Sequence, residues 1–132
     1  MRAVLDPNVL VAALLSRDGT PARLVRSWLD GAFELVVSDM LLTELERALA
    51  YPTLEARIAP DDARAFVALL RARAALVGDP TVVEPRSADP DDDYLIALAE
   101  RATAYLVSGD RHLLALSGSY PIVTASAFAD LI

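Results

Sequence analysis

Residues 89–110 read "DPDDDYLIALAERATAYLVSGD": an acid-rich start, a run with helical spacing, a short apolar strand, and an aspartate just beyond it. Asp89 before Pro90 suits a helix N-cap with proline in the first turn, and Asp92, three residues past the cap, fits a capping box. Acids in a first turn also complement the helix dipole. Helical phase complicates that purely structural reading. At about 100° per residue, Leu95, Ile96, Leu98, Ala99 and Ala102 form the stripe that faces a sheet. Asp91 and Asp92 fall within or near the edges of that stripe, while Asp93 falls with Glu100 on the polar side. At least one carboxylate therefore leans over a sheet rim, where it needs a partner.

Working outward, strand-like and helix-like segments alternate. "RAVL" (2–5) ends at Asp6 and leads into "PNVLVAALLS", with Pro7 and Asn8 where helix starts are set and Asn8 as the expected cap. Thr20 and Pro21 open a helix that Gly31 closes; "FELVV" (33–37) is a strand, and Ser38 caps "DMLLTELERALA". A further helix is expected over 61–75, a strand at "TVVEP" (81–85), then the opening helix and "AYLVS" (104–108) as a strand. A short helix through "RHLLAL", "YPIVT" as a last strand and "ASAFADLI" as a closing helix complete the pass. Short apolar strands separated by helices predict an α/β fold, a parallel sheet of about five strands covered on both faces. Ligands in such sheets bind beyond the carboxyl ends of the strands, near the switch in strand order. Asp6 follows the first strand and Asp110 the fourth, so both are expected on that rim.

A chain of 132 residues with 55% apolar content is expected to form a single domain, 1–132, with a real core. It has no cysteine, which excludes a disulfide framework and a thiolate zinc site, and fits a cytoplasmic setting. No signal peptide is visible and no apolar run reaches the ~18–20 residues of a membrane span. The net charge of −7, with arginine as the only strong base, argues against sequence-independent coating of nucleic acid.

The acids gain meaning as a set. Leu41, Leu42, Leu45, Ala48 and Leu49 form the buried stripe of their helix and Glu44 flanks it; Asp6 has no capping duty if Asn8 caps. Asp6, Glu44, one of Asp91 and Asp92, and Asp110 are all expected to project from elements that meet at one rim. Carboxylates that close repel and drift toward protonation unless a cation lies among them. Oxygen-only ligands select hard cations such as Mg²⁺ or Mn²⁺, suited to activating water against a phosphodiester.

Three motifs carry a family resemblance across nearly the whole chain: "VLDPNVLVAALL" (4–15), "VVSDMLLTELERAL" (36–49) and "ADPDDDYLIALAERATAYLVSGDRHLL" (88–114). They resemble the PIN-domain family, in particular the VapC-like toxin ribonucleases of prokaryotic type II toxin–antitoxin systems. The resemblance implies a three-layer α/β/α fold and a Mg²⁺- or Mn²⁺-dependent endoribonuclease acting on single-stranded RNA, leaving 3′-hydroxyl and 5′-phosphate ends. It also implies a cognate antitoxin and a homodimer. By motif position Asp6, Glu44, Asp92 and Asp110 are the catalytic, metal-binding acids, with Asp93 or Asp91 as other registers for the third. Asn8 and Ser108 match supporting polar positions, and Asp93 adds negative field or is solvated. Pro7 departs from the family pattern, removing a hydroxyl and a backbone donor beside Asp6.

The remaining residues read more plainly. His112 is either a catalytic base or a surface residue opening a short helix. Arg17, Arg23, Arg26 and Arg111 either contact RNA phosphates or form salt bridges with the many acids. Trp28 belongs to the core, and Tyr94, on the side of its helix away from the sheet centre, is given no role. Two rival functions share the fold: a catalytically weak binding module, and a metal-dependent phosphohydrolase of small phosphoesters.

Overall fold

The computed structural model describes residues 1–132. Its centre is β1 (Arg2–Leu5), flanked by β2 (Glu34–Val37) and β4 (Tyr105–Val107); β3 (Ala75–Leu76) and β5 (Ile122–Val123) form the edges. All four pairings are parallel and the order is β3-β2-β1-β4-β5. Ala3 pairs with Leu35 on one side and Tyr105 on the other, and Leu5 pairs with Val107. The inner strands have no water-facing side, which explains their unbroken apolar sequences: Val4, Leu35, Val36 and Leu106 are fully buried.

Between β1 and β2 run α1 (Pro7–Leu15) and α2 (Thr20–Leu29); between β2 and β3 run α3 (Asp39–Leu49), α4 (Pro52–Glu55) and α5 (Pro60–Arg73). α6 (Pro90–Ala102) joins β3 to β4, α7 (Arg111–Leu114) joins β4 to β5, and α8 (Ala125–Leu131) follows β5. Right-handed crossovers reverse direction beside β1, so α1–α5 and α6–α7 cover opposite faces. Packing follows that division. α1 lies on α2 and α3, and α3 on α4 and α5, whereas α6 lies directly on β1 and β4. Prolines occupy the first turn of α1, α2, α4, α5 and α6, where the missing N–H costs nothing and the fixed φ favours the helix.

The expected five-stranded parallel α/β fold is present, with three local corrections. The strand expected at 81–85 does not form. Pro80 and Pro85 deny that segment ladder donors, the place beside β2 is taken by Ala75 and Leu76 directly after α5, and Val82 is 78% exposed. The cap of α1 is Asp6 rather than Asn8: its carboxylate accepts the Asn8 N–H at 3.0 Å. α4 was not foreseen in the sequence, being a single turn opened by Pro52. Trp28 lies in the core as expected, and Gly31 ends α2 with φ of +87°, a conformation that needs glycine.

α8 closes the sheet by inserting Phe128, which is fully buried, edge-on to Phe33 at 5.0 Å between ring centroids and tilted against Tyr105 at 5.8 Å. Truncation there would leave a cavity lined by two aromatic rings. Phe128→Ala should cost about 3–5 kcal/mol, read as a lowered urea midpoint with unchanged slope.

Candidate functional site

β1 and β4 end side by side at the point where strand order reverses, and Asp6 and Ser108 leave their strands there. The Asp6 N–H still donates to the Val107 carbonyl at 3.0 Å, so the ladder continues into the rim. The buried Ser108 hydroxyl donates to Asp6 Oδ2 at 2.8 Å while the Asn8 N–H holds Oδ1. Both carboxylate oxygens are thus fixed, and Asp6 is only 6% exposed. Ser108 Oγ in turn accepts the Asp110 N–H at 3.1 Å. Asp110 caps α7 through the His112 N–H. The side chain of Asn8 is exposed, so its support reaches Asp6 through the main chain.

Asp92 is buried to 9% exposure on the first turn of α6. Desolvation, then the charges of Asp110, Asp89 and Asp6, push its carboxyl up to about 6 from the usual 3.8; His112 pulls the other way. Burial likewise raises Asp6, against its two hydrogen bonds, with Asp110 adding to the rise. Glu44, half-buried on α3, is raised by desolvation and then by Asp91, Asp6 and Asp89, with Arg47 opposing. Asp6, Asp92 and Asp110 therefore share one field, while Asp91 lies exposed toward Glu44. None of Asp6, Glu44, Asp92 or Asp110 has an ion-pair partner.

That pattern fits a divalent cation in charge and donor type: oxygen ligands alone, desolvated, and without an ion pair to neutralise them. The fit is not a finished cage. No three acids lie close enough together to hold one ion jointly, so the set would have to draw in around it. Arg17, Arg23, Arg26 and Arg111 are exposed and none pairs with an acid; Arg26 instead donates to the Arg17 carbonyl. His112 is exposed beside Asp110.

Two residues behave differently from their sequence reading. Asp93 is buried rather than solvated, and its Oδ1 accepts the Arg86 N–H and the Ser87 hydroxyl, both at 2.8 Å. It anchors the segment before α6 and turns away from the acid field. Tyr94 is also buried, at 8% exposure; its hydroxyl donates to Asp79 Oδ1 at 2.5 Å and lies 2.5 Å from Ser38 Oγ. Burial and the Asp79 hydrogen bond keep this phenol protonated. Helical phase misplaced both residues because the β3–α6 connection folds along α6: Asp92 through Ala99 are buried without a polar side. The expected capping box is also replaced, since the Asp89 N–H goes to Ser87 Oγ rather than to Asp92.

The sequence profile of the PIN domain matches residues 2–112. No curated protein matches the chain. Among solved structures, the chain is similar to PAE2754 from Pyrobaculum aerophilum, with 17% identity and a TM-score of 0.67, over 99% of this chain and 88% of that one. It is similar to VapBC-1 from nontypeable Haemophilus influenzae, with 15% identity and a TM-score of 0.65, over 96% and 99% of the two chains. A third is VapBC2 from Rickettsia felis, bound to a DNA fragment from its promoter, with 11% identity and a TM-score of 0.63, over 94% and 97%. At these identities the likeness is one of fold.

The raised Asp92 carboxyl has a consequence for stability. Between 3.8 and about 6 the folded state holds a proton that the unfolded state has shed, so metal-free stability falls as pH rises through that window. Asp92→Asn should remove that part of the pH dependence. Allowing for solvent screening, it should stabilise the metal-free protein at pH 7.5 by roughly 1 kcal/mol. Thermal melts in EDTA at pH 5 and 7.5 check both points.

Proposed function

The chain belongs to the PIN-domain family, and we propose that it is a Mg²⁺- or Mn²⁺-dependent endoribonuclease, the toxin of a toxin–antitoxin pair, formed by residues 1–132 as one domain. The observation that carries this reading is the buried Asp6 carboxylate, pinned by Ser108 at the strand-order switch and sharing its field with Asp92 and Asp110. Asp6, Glu44, Asp92 and Asp110 would hold the cation. When bound, it supplies the positive charge that lets a phosphodiester approach an acidic rim and makes a water more acidic.

The chain's own part is positioning. Ser108 and the Asn8 N–H stop Asp6 from rotating, so its lone pairs keep one direction. Asp92 and Glu44 approach from α6 and α3 on opposite sheet faces. Exposed Arg111 and His112, beside Asp110, offer donors to a phosphate at the rim. The proposed reaction is hydrolysis: a water oxygen bonds to phosphorus, the bond from phosphorus to O3′ breaks, and O3′ leaves as the hydroxyl. The products carry 3′-hydroxyl and 5′-phosphate ends.

Likeness in fold to the VapBC structures supports a cognate antitoxin as partner; a homodimer enters the proposal through the motif resemblance alone. No helix is long and apolar enough to cross a membrane; action in the cytoplasm is part of the same proposal. The incomplete convergence of the acids favours one rival, a binding module without turnover.

Cleavage of an end-labelled single-stranded RNA separates them. With Mn²⁺ the protein should cut, EDTA should stop it, and Asp6→Asn should lower the rate at least about 100-fold. Folded, antitoxin-free protein that leaves several RNA sequences intact would replace the nuclease by the binding module. Turnover of an aryl phosphate but not RNA would indicate the phosphohydrolase.

A further inference from the structure

A closed ring of hydrogen bonds begins and ends on the first turn of α3. The Leu41 N–H donates to Ser38 Oγ at 3.2 Å, and Ser38 Oγ is 2.5 Å from the Tyr94 hydroxyl. Tyr94 donates to Asp79 Oδ1 at 2.5 Å, and Asp79 Oδ2 accepts the Met40 N–H at 3.1 Å. The direction of the ring follows from its chemistry. Asp79 as a carboxylate only accepts, so the single Tyr94 proton goes to it; the Ser38 proton must then go to Tyr94, leaving a Ser38 lone pair for Leu41. Its members come from three separate segments: the end of β2, the connection after β3, and the first turns of α6.

Position gives the ring its significance. Glu44 lies on α3, six residues beyond Ser38, and Asp92 lies two residues before Tyr94 on α6. These helices cover opposite faces of the sheet and do not pack on one another as α1 and α3 do. The ring joins their amino ends at the rim where the acids gather. Phenylalanine would fill the same apolar volume, so packing alone gives no reason for a hydroxyl at position 94.

We infer that Tyr94, through its bonds to Ser38 and Asp79, is a positioning residue that sets the span between Glu44 and Asp92 and so tunes cation binding. This rests on the proposed metal-dependent site. Neither Tyr94 nor Asp79 touches the cation or the substrate; both act through the helices they tie.

The test uses Tyr94→Phe, Asp79→Asn and the double variant of the full chain, with Phe128→Leu as a comparison that loses stability far from the rim. Asp79→Asn also serves where Tyr94→Phe folds poorly, because Asp79 is only half-buried. Free Mn²⁺ is titrated by electron paramagnetic resonance, and RNA cleavage is followed for kcat and KM. Tyr94→Phe should weaken Mn²⁺ binding about tenfold and lower kcat about tenfold, with KM within about twofold. Asp79→Asn should act in the same direction, and the double variant should be no worse than the stronger single, as expected for one chain of bonds. Phe128→Leu should melt lower yet bind and cut as the wild type does. Wild-type binding and cutting in both Tyr94→Phe and Asp79→Asn would overturn the inference while leaving the nuclease reading intact. A wild type that neither binds Mn²⁺ nor cuts would overturn both.

Discussion

The rim depends on one hydrogen bond, from the Ser108 hydroxyl to Asp6 Oδ2. It joins the ends of two parallel strands at the place where a carboxylate would otherwise be buried with half its acceptor capacity unmet. Without that donor, burial of Asp6 would be opposed by the full desolvation of a charged group, and the residue would turn outward or stay protonated. With it, the strand ladder delivers a fixed anion to the mouth of the sheet. The Asp110 N–H on the same Ser108 oxygen then places the next acid relative to the first.

The neighbouring acids make that anion costly to keep. Asp92 and Glu44 are held at higher proton affinity by burial and by the surrounding aspartates, and no arginine forms an ion pair with either although the chain carries many. The guanidinium groups that do pair stand elsewhere: Arg71 with Asp39 and Glu46, Arg86 with Glu100, Arg64 with Asp61, Arg2 with Glu34. A surface assembled for stability alone would distribute its counter-charges more evenly. This separation of basic side chains from the desolvated acids is what a cation site requires, and it is reached at the expense of the metal-free fold.

Much of this was visible in the residues themselves. Prolines at helix starts, the glycine ending α2 and the unbroken apolar strands depend on local geometry, so they identified the alternation and hence the rim. Asp6 and Asp110 followed, because each directly succeeds a strand. What stayed hidden depends on contacts between distant segments. Val82 and Val83 have the side chains of a strand, but flanking prolines and a filled sheet position leave them outside it. Tyr94 and Asp93 lie on what a lone amphipathic helix would expose, and the preceding connection covers them. Asp79 offered no local pattern at all; its importance arises from a tyrosine 15 positions later and an amide 39 positions earlier.

The two outer strands, β3 and β5, are each two residues long; Pro121 directly precedes β5, and Pro80 follows β3 after three residues. A sheet with such short margins offers almost no free backbone on which another extended chain can add itself. Lateral growth into fibrils is thereby discouraged at high concentration, despite an apolar content that would make a long bare margin hazardous. Other chains are left with the helical layers and the acidic rim, so recognition of this fold is a matter of side chains and their charges rather than of extending its hydrogen-bonded ladder.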